Sequence, residues 1–165
     1  MKRLVLVRHA KAVQHDYDAD FDRELQPRGI NDAGRIGARL KQMGITPDLI
    51  ISSPANRAIT TARIFAENTG YPLQSIVEDE EVYNQFTFNH FLEYIKELPE
   101  ECHTVFIFGH NPGFQHYAVN LMLHFYEEFP TCATVGIDFQ VDSWEKIVAK
   151  SGKKSFFLIP KEVND

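Results

Sequence analysis

The sequence predicts an α/β fold: a three-layer sandwich with a mostly parallel central sheet and helices on both faces. Three observations predict it. Short apolar runs of strand length recur at residues 4–7, 48–52 and 104–108. Segments with helical spacing separate them, and strands alternating with helices build parallel sheets. Each run also ends abruptly, at Arg8-His9, at Ser52-Ser53 and at Gly109-His110-Asn111.

Taken in order, residues 4–7 (Leu-Val-Leu-Val) read as a buried strand. Residues 14–28 are polar and acidic and read as a loop. From 30 to 43 the spacing of Ile30, Ala33, Ile36, Gly37 and Leu40 is helical and stops at Gly44. Residues 48–52 form the second strand. Ser53-Pro54 reads as an N-cap followed by proline at the first helical position, opening a helix that runs to about Asn68 and stops at Gly70. Residues 88–98 read as helical and 104–108 as the third buried strand. Asn111-Pro112 repeats the cap-then-proline signature ahead of a helix over 113–125. Residues 134–141 and 155–159 are the last two strands, expected as a hairpin-like pair at the sheet edge. No internal repeat, low-complexity tract or long linker interrupts the chain, so residues 1–165 are expected to form one domain.

Bulk properties narrow the function. The chain has 165 residues, 44% of them hydrophobic and 24% charged, as soluble globular proteins do. No apolar run approaches the ~20 residues that span a bilayer, and the four apolar residues after Met1-Lys2-Arg3 are too few for a signal peptide. Two distant cysteines, Cys102 and Cys132, form no CxxC pair. A cytoplasmic protein without membrane association is expected. A net charge of -6 argues against a nucleic-acid partner. Yet all eight arginines fall within the first 63 residues, a concentration that can focus positive charge on one anion.

In open α/β sheets ligands bind beyond the carboxyl ends of the strands. Topology alone therefore brings Arg8, His9, Arg57 and His110 to one crevice. Arginine presents a planar, permanently charged fork that matches phosphate oxygens. Nearby cations disfavour imidazolium, so His9 is expected to be neutral and nucleophilic near neutral pH. A neutral imidazole attacking phosphorus is covalent catalysis, with His110 expected as a charged donor to a phosphoryl oxygen. Competing motifs fail. Residues 29–35 resemble a P-loop, but Arg35 and Ile36 replace its Lys and Ser/Thr and no strand precedes it. Neither cysteine has an arginine six residues on. Asp16, Asp18, Asp20 and Asp22 alternate like a calcium loop, but Phe21 and Pro27 stand where its glycine and glutamate belong, so the stretch reads as a solvated loop. His15, His90, His103, His116 and His124 show no metal-binding pairing, and neither a metal nor a cofactor is expected.

Residues 4–12 (Leu-Val-Leu-Val-Arg-His-Ala-Lys-Ala) resemble the opening of the histidine phosphatase superfamily, the phosphoglycerate-mutase-like group, with Ala10 where its Arg-His-Gly triplet has glycine. The resemblance continues through residues 23–29, 51–58 with Thr61-Ala62, 81–84 (Glu-Val-Tyr-Asn), 108–113 (Phe-Gly-His-Asn-Pro-Gly) and 157–161. The short chain, the Arg-His-Ala variant and the Gly-His-Asn-Pro block look most like the SixA-type phosphohistidine phosphatases. The resemblance implies that His9 accepts the phosphoryl group, that Arg8, Arg57 and His110 form the phosphate pocket, and that Arg23 adds to it. Larger members supply a general acid from an inserted segment that this chain is too short to carry. Glu81 is the best substitute, with Asp79 and Glu80 beside it. An alkyl phosphate needs a proton donor for its leaving group; phosphohistidine, with its weak P–N bond, needs less. The expected partner is therefore a phosphorylated protein bearing phosphohistidine, with small phosphate esters or sugar phosphates as the alternative. A phosphate-binding or interaction module without turnover also stays open, because fold does not guarantee function.

Overall fold

The computed structural model describes residues 1–14 and 19–164. In chain order its elements are β1 (Lys2–Arg8), α1 (Pro27–Gln42), β2 (Leu49–Ser52), α2 (Asn56–Thr69), β3 (Val77–Glu78), α3 (Glu80–Tyr83), α4 (Phe88–Lys96), β4 (Thr104–Gly109), α5 (Gly113–Leu121), β5 (Thr134–Phe139) and β6 (Lys153–Leu158). The strands form one sheet in the order β3-β2-β4-β1-β5-β6. β1, β2, β3 and β4 pair in parallel; β5 runs antiparallel to both β1 and β6. The sheet is thus mixed but mostly parallel, as the alternation of strands and helices predicts.

Side chains alternate across a strand, and the alternation divides the core into two. Val5 and Val7 of β1, Ile50 of β2, and Phe106 and Phe108 of β4 face Ala33, Ile36 and Leu40 of α1 and Ala62, Phe65 and Ala66 of α2. On the other face Leu4, Leu6, Val105 and Ile107 meet Phe91 and Ile95 of α4 and Phe114, Tyr117 and Leu121 of α5. Burying each large side chain contributes about 1.5–3 kcal/mol. The Phe91 ring lies parallel to that of Tyr117 with centroids 4.1 Å apart.

Register sets the stage for the site. Arg8 is level with Gly109, and Ser52 with Phe108. The carboxyl ends of β1, β4 and β2 therefore open onto a single crevice. β1 is held from both flanks beyond its last residue: His9 N–H donates to Gly109 O, Arg8 N–H to Ala133 O, and Cys132 N–H to His9 O, each at 3.0 Å.

Several boundaries differ from the sequence expectation. α1 starts at Pro27, because proline suits the first turn although 27–29 carry no apolar period. Ser53-Pro54 does not cap α2, which starts at Asn56 after Ala55. The Ser53 hydroxyl instead accepts from Ala55 N–H at 3.2 Å and turns the chain. Pro112, not Asn111, occupies the N-cap of α5. That helix ends at Leu121 rather than 125, because Met122 is extended and bridges to Gly152. Gly70 closes α2 in the left-handed conformation at φ 80°, as its place predicts.

Candidate active site

His9, the first residue past β1, is buried, and its Nδ1 lies 2.8 Å from Ala10 O. A carbonyl only accepts, so Nδ1 carries the proton and Nε2 keeps its lone pair. Burial lowers the His9 pKa to about 3; the Ala10 carbonyl opposes this, and His110, Arg57 and Arg8 add to it. His9 is thus an uncharged imidazole with an unprotonated nitrogen, as the cation-rich sequence context predicts.

The second imidazole faces the first. His110 follows β4, and the two ring centroids are 5.3 Å apart. His110 Nε2 is 2.8 Å from Ser53 Oγ. Burial first and Arg57 next lower its pKa to about 4. The expectation of a charged donor is corrected here: in the free protein His110 is neutral, because a cation buried beside Arg57 is unfavourable.

Three arginines converge on the same crevice. Arg57, in the first turn of α2, donates to Asp20 O and to Asp20 Oδ2, both at 2.8 Å. Arg23 donates to Asp20 Oδ1 at 2.9 Å and to Val13 O at 2.7 Å. Arg8 donates to Phe129 O at 3.0 Å. Burial, then the charge of Arg57, lowers the Arg8 pKa. Among the described residues Arg8 Nε, Arg57 Nε and His110 Nδ1 are buried without a hydrogen-bond partner. Buried donors are normally satisfied, so three orphaned nitrogens around a neutral imidazole describe a place for an oxyanion.

Asp20 and Tyr83 escaped the sequence reading. Asp20, for which the alternating acidic pattern predicts a solvated loop, lies in the 3-10 turn Asp20–Asp22 and also accepts from Tyr83 OH at 3.0 Å. Burial raises its pKa, but the hydrogen bonds from Arg23, Arg57 and Tyr83 outweigh that and hold it at about 2. Asp16 and Asp18 of the same motif lie outside the described residues. Tyr83 also sets its ring edge-on to His110, centroids 5.5 Å apart, and packs on Phe21 at 5.4 Å. Glu81 is exposed in α3, where its backbone N–H donates to the Asp79 side chain at 3.0 Å. Residues two apart on a helix do not share a face, so Tyr83 and Glu81 point apart, and among the described residues no hydrogen bond or ion pair joins the Glu81 side chain to His9 or His110. Among the described residues no group of three or more His, Cys, Asp or Glu is arranged to hold a metal ion, and no helix is long and apolar enough to cross a membrane.

The two depressed histidines make stability depend on pH. An unfolded histidine binds its proton below about pH 6.5, whereas His9 and His110 stay neutral in the fold to about 3 and 4. Between these limits the unfolded chain holds more protons, so stability is present above about pH 6.5 and declines as the pH falls. The urea midpoint should drop between about pH 7 and pH 4.5, and drop less in His110→Gln. Equal slopes in the two proteins would contradict the buried, neutral assignment.

Comparison with known proteins yields consistent relatives. A family model described as the histidine phosphatase superfamily (branch 1) matches residues 4–111, which include every arginine and both imidazoles of the crevice. An uncharacterized chloroplastic protein of Arabidopsis thaliana is 29% identical over 92% of this chain and 72% of its own. The 2,3-bisphosphoglycerate-dependent phosphoglycerate mutase of Nautilia profundicola is 40% identical over 41% of this chain, a match spanning 31% of the mutase. A structure assigned as the phosphohistidine phosphatase SixA from Agrobacterium tumefaciens superimposes with a TM-score of 0.81 at 27% identity, covering 96% of this chain and 98% of that one. The protein histidine phosphatase SixA complexed with tungstate gives 0.82 at 19% identity, covering 96% and 97%.

Proposed function

The chain belongs to branch 1 of the histidine phosphatase superfamily, and from that premise we propose that it hydrolyses phosphohistidine on a protein through a covalent intermediate on His9. The tungstate bound by the similar SixA phosphatase supports an oxyanion in this crevice. Neutral His9 attacks phosphorus through Nε2. The P–N bond of the substrate breaks, and its electron pair returns to the departing imidazole, which leaves neutral when its other nitrogen holds a solvent-derived proton. His9 becomes a phosphoimidazolium whose Nδ1–H stays on Ala10 O. Water then attacks phosphorus, gives its proton to solvent, and releases phosphate and neutral His9. Splitting the transfer in two lowers each barrier. Arg8, Arg57, Arg23 and His110 supply the donors that stabilise the transferring group.

One observation carries the choice of substrate. The carboxylate bonded to the pocket arginines, Asp20, is held ionised at about 2 by Arg23, Arg57 and Tyr83 against the effect of its burial, and Glu81 lies on another face of α3. Among the described residues Asp20 is the carboxyl hydrogen-bonded to Arg23 and Arg57, and it holds no proton to give a leaving group. Such a site works on a bond that breaks without an acid.

A panel tests this. With excess chelator present, the protein should release phosphate from a phosphohistidine protein and, more slowly, from an aryl phosphate, because the guanidinium groups supply the positive charge. Alkyl phosphates should be poor substrates. General acids contribute about 10²–10⁴-fold, so if Glu81 is the acid implied by the family resemblance, Glu81→Gln should cost that much on alkyl phosphate alone. On phosphohistidine it should cost less than about threefold. Fast hydrolysis of alkyl phosphate beside negligible turnover of phosphohistidine would refute the substrate assignment.

A further inference from the structure

We propose that Ser53 is a positioning residue whose hydroxyl donates to His110 Nε2 and so holds that ring in the neutral Nδ1–H tautomer. The argument is one of satisfying every buried group. Ser53 is fully buried, and its oxygen contacts two groups: Ala55 N–H, which it accepts at 3.2 Å, and His110 Nε2 at 2.8 Å. A hydroxyl has one proton to give. If Nε2 were the protonated nitrogen, the Ser53 proton would be left buried with no acceptor, and Nδ1 would be an unmatched lone pair. If Ser53 donates to Nε2, its one proton is placed and its oxygen still accepts from Ala55 N–H, and Nδ1–H is the donor left over. That nitrogen is the ring nitrogen of His110 that is buried without a hydrogen-bond partner among the described residues, as Arg8 Nε and Arg57 Nε are. The third state, an imidazolium, would add a charge next to Arg57 in a buried place.

The two imidazoles are then the same Nδ1–H tautomer, one set by the backbone and one by a serine, and they present opposite nitrogens to the crevice. Ala10 O fixes the proton of His9 on Nδ1 and frees Nε2 to attack. Ser53 does the reverse for His110, occupying Nε2 and freeing Nδ1–H to donate. On the phosphatase reading, which this role for the freed N–H rests on, His110 contacts a phosphoryl oxygen as an uncharged donor and no proton moves. Ser53 lies at the end of β2 and reaches His110 across 57 residues of sequence, which is why it reads as a helix cap until the strands are paired.

Long-range nitrogen–proton correlation spectra distinguish a protonated from an unprotonated ring nitrogen and decide the matter on the wild-type protein. The expected result at neutral pH is Nδ1 protonated and Nε2 unprotonated in His110. Protonation of Nε2, alone or with Nδ1, overturns the proposal. In Ser53→Ala the two His110 tautomers should mix while His9 keeps its own, and affinity for inorganic phosphate should fall about tenfold, the value of one good hydrogen bond. Ser53→Thr, which keeps the hydroxyl, should restore both. An unchanged His110 tautomer in folded Ser53→Ala overturns the role of Ser53. Because Ser53 is fully buried, the wild-type spectrum settles the tautomer even where a variant does not fold. A His110 in the expected tautomer that ignores added phosphate upholds the proposal and counts against the phosphatase reading instead.

Discussion

His9→Ala is expected to lose turnover by on the order of 10⁶-fold, the scale on which removal of a covalent nucleophile is felt in other hydrolases. The fold should survive, because His9 lies past the end of β1 and the packing of that strand rests on Leu4, Val5, Leu6 and Val7, all fully buried. The nucleophile can also be caught directly. Labelled substrate mixed with wild-type protein and quenched in alkali, which spares phosphoramidates, should leave phosphate on His9. Label on another side chain, or a burst of product that persists in His9→Ala, would remove the covalent mechanism. Urea denaturation of the variant guards against reading an unfolded protein as an inactive one.

Arg57→Ala should cost on the order of 10²–10³ in kcat/KM, as losing one preorganised oxyanion donor does. Arg8→Ala should cost a similar amount. Arg57→Lys should rescue little, since an ammonium cannot reproduce a planar fork that spans Asp20 with two nitrogens and leaves a third free. Inhibition by tungstate should weaken in parallel with kcat/KM in both alanine variants. Losses below tenfold in both would place the phosphoryl group elsewhere in the crevice.

Much of this site is legible in the sequence because its anchors sit at strand ends. Arg8-His9 and Gly109-His110 terminate apolar runs whose pairing is forced by burial, and a parallel sheet delivers such ends to one edge. What escaped depends on contacts between distant segments. Asp20 meets Arg57 across 37 residues and Tyr83 across 63. Alternating acidic residues in a polar stretch look the same whether they face water or a guanidinium. Ser53 before a proline matches a helix cap, and only the pairing of β2 with β4 turns its hydroxyl toward His110. Glu81 follows from the family resemblance rather than from any periodicity. In a helix of only four residues, the sequence gives no second turn from which to read the inward face. The neutral state of His110 is not legible in the sequence for another reason: burial, the largest cause of its lowered pKa, depends on packing that the sequence does not display.

The bracing of β1 has a consequence for how the protein fails under stress. The backbone around His9 is tied to Gly109 on one side and to Ala133 and Cys132 on the other, in a strand with paired neighbours on both flanks. Such segments open only with global unfolding, unlike catalytic groups carried on surface loops. His9, the proposed nucleophile, therefore has no cheap local excursion of its backbone out of register. The conformational entropy of placing it is lost during folding, not at each encounter with substrate. Heat or denaturant should therefore displace the backbone of His9 only by opening the sheet around it.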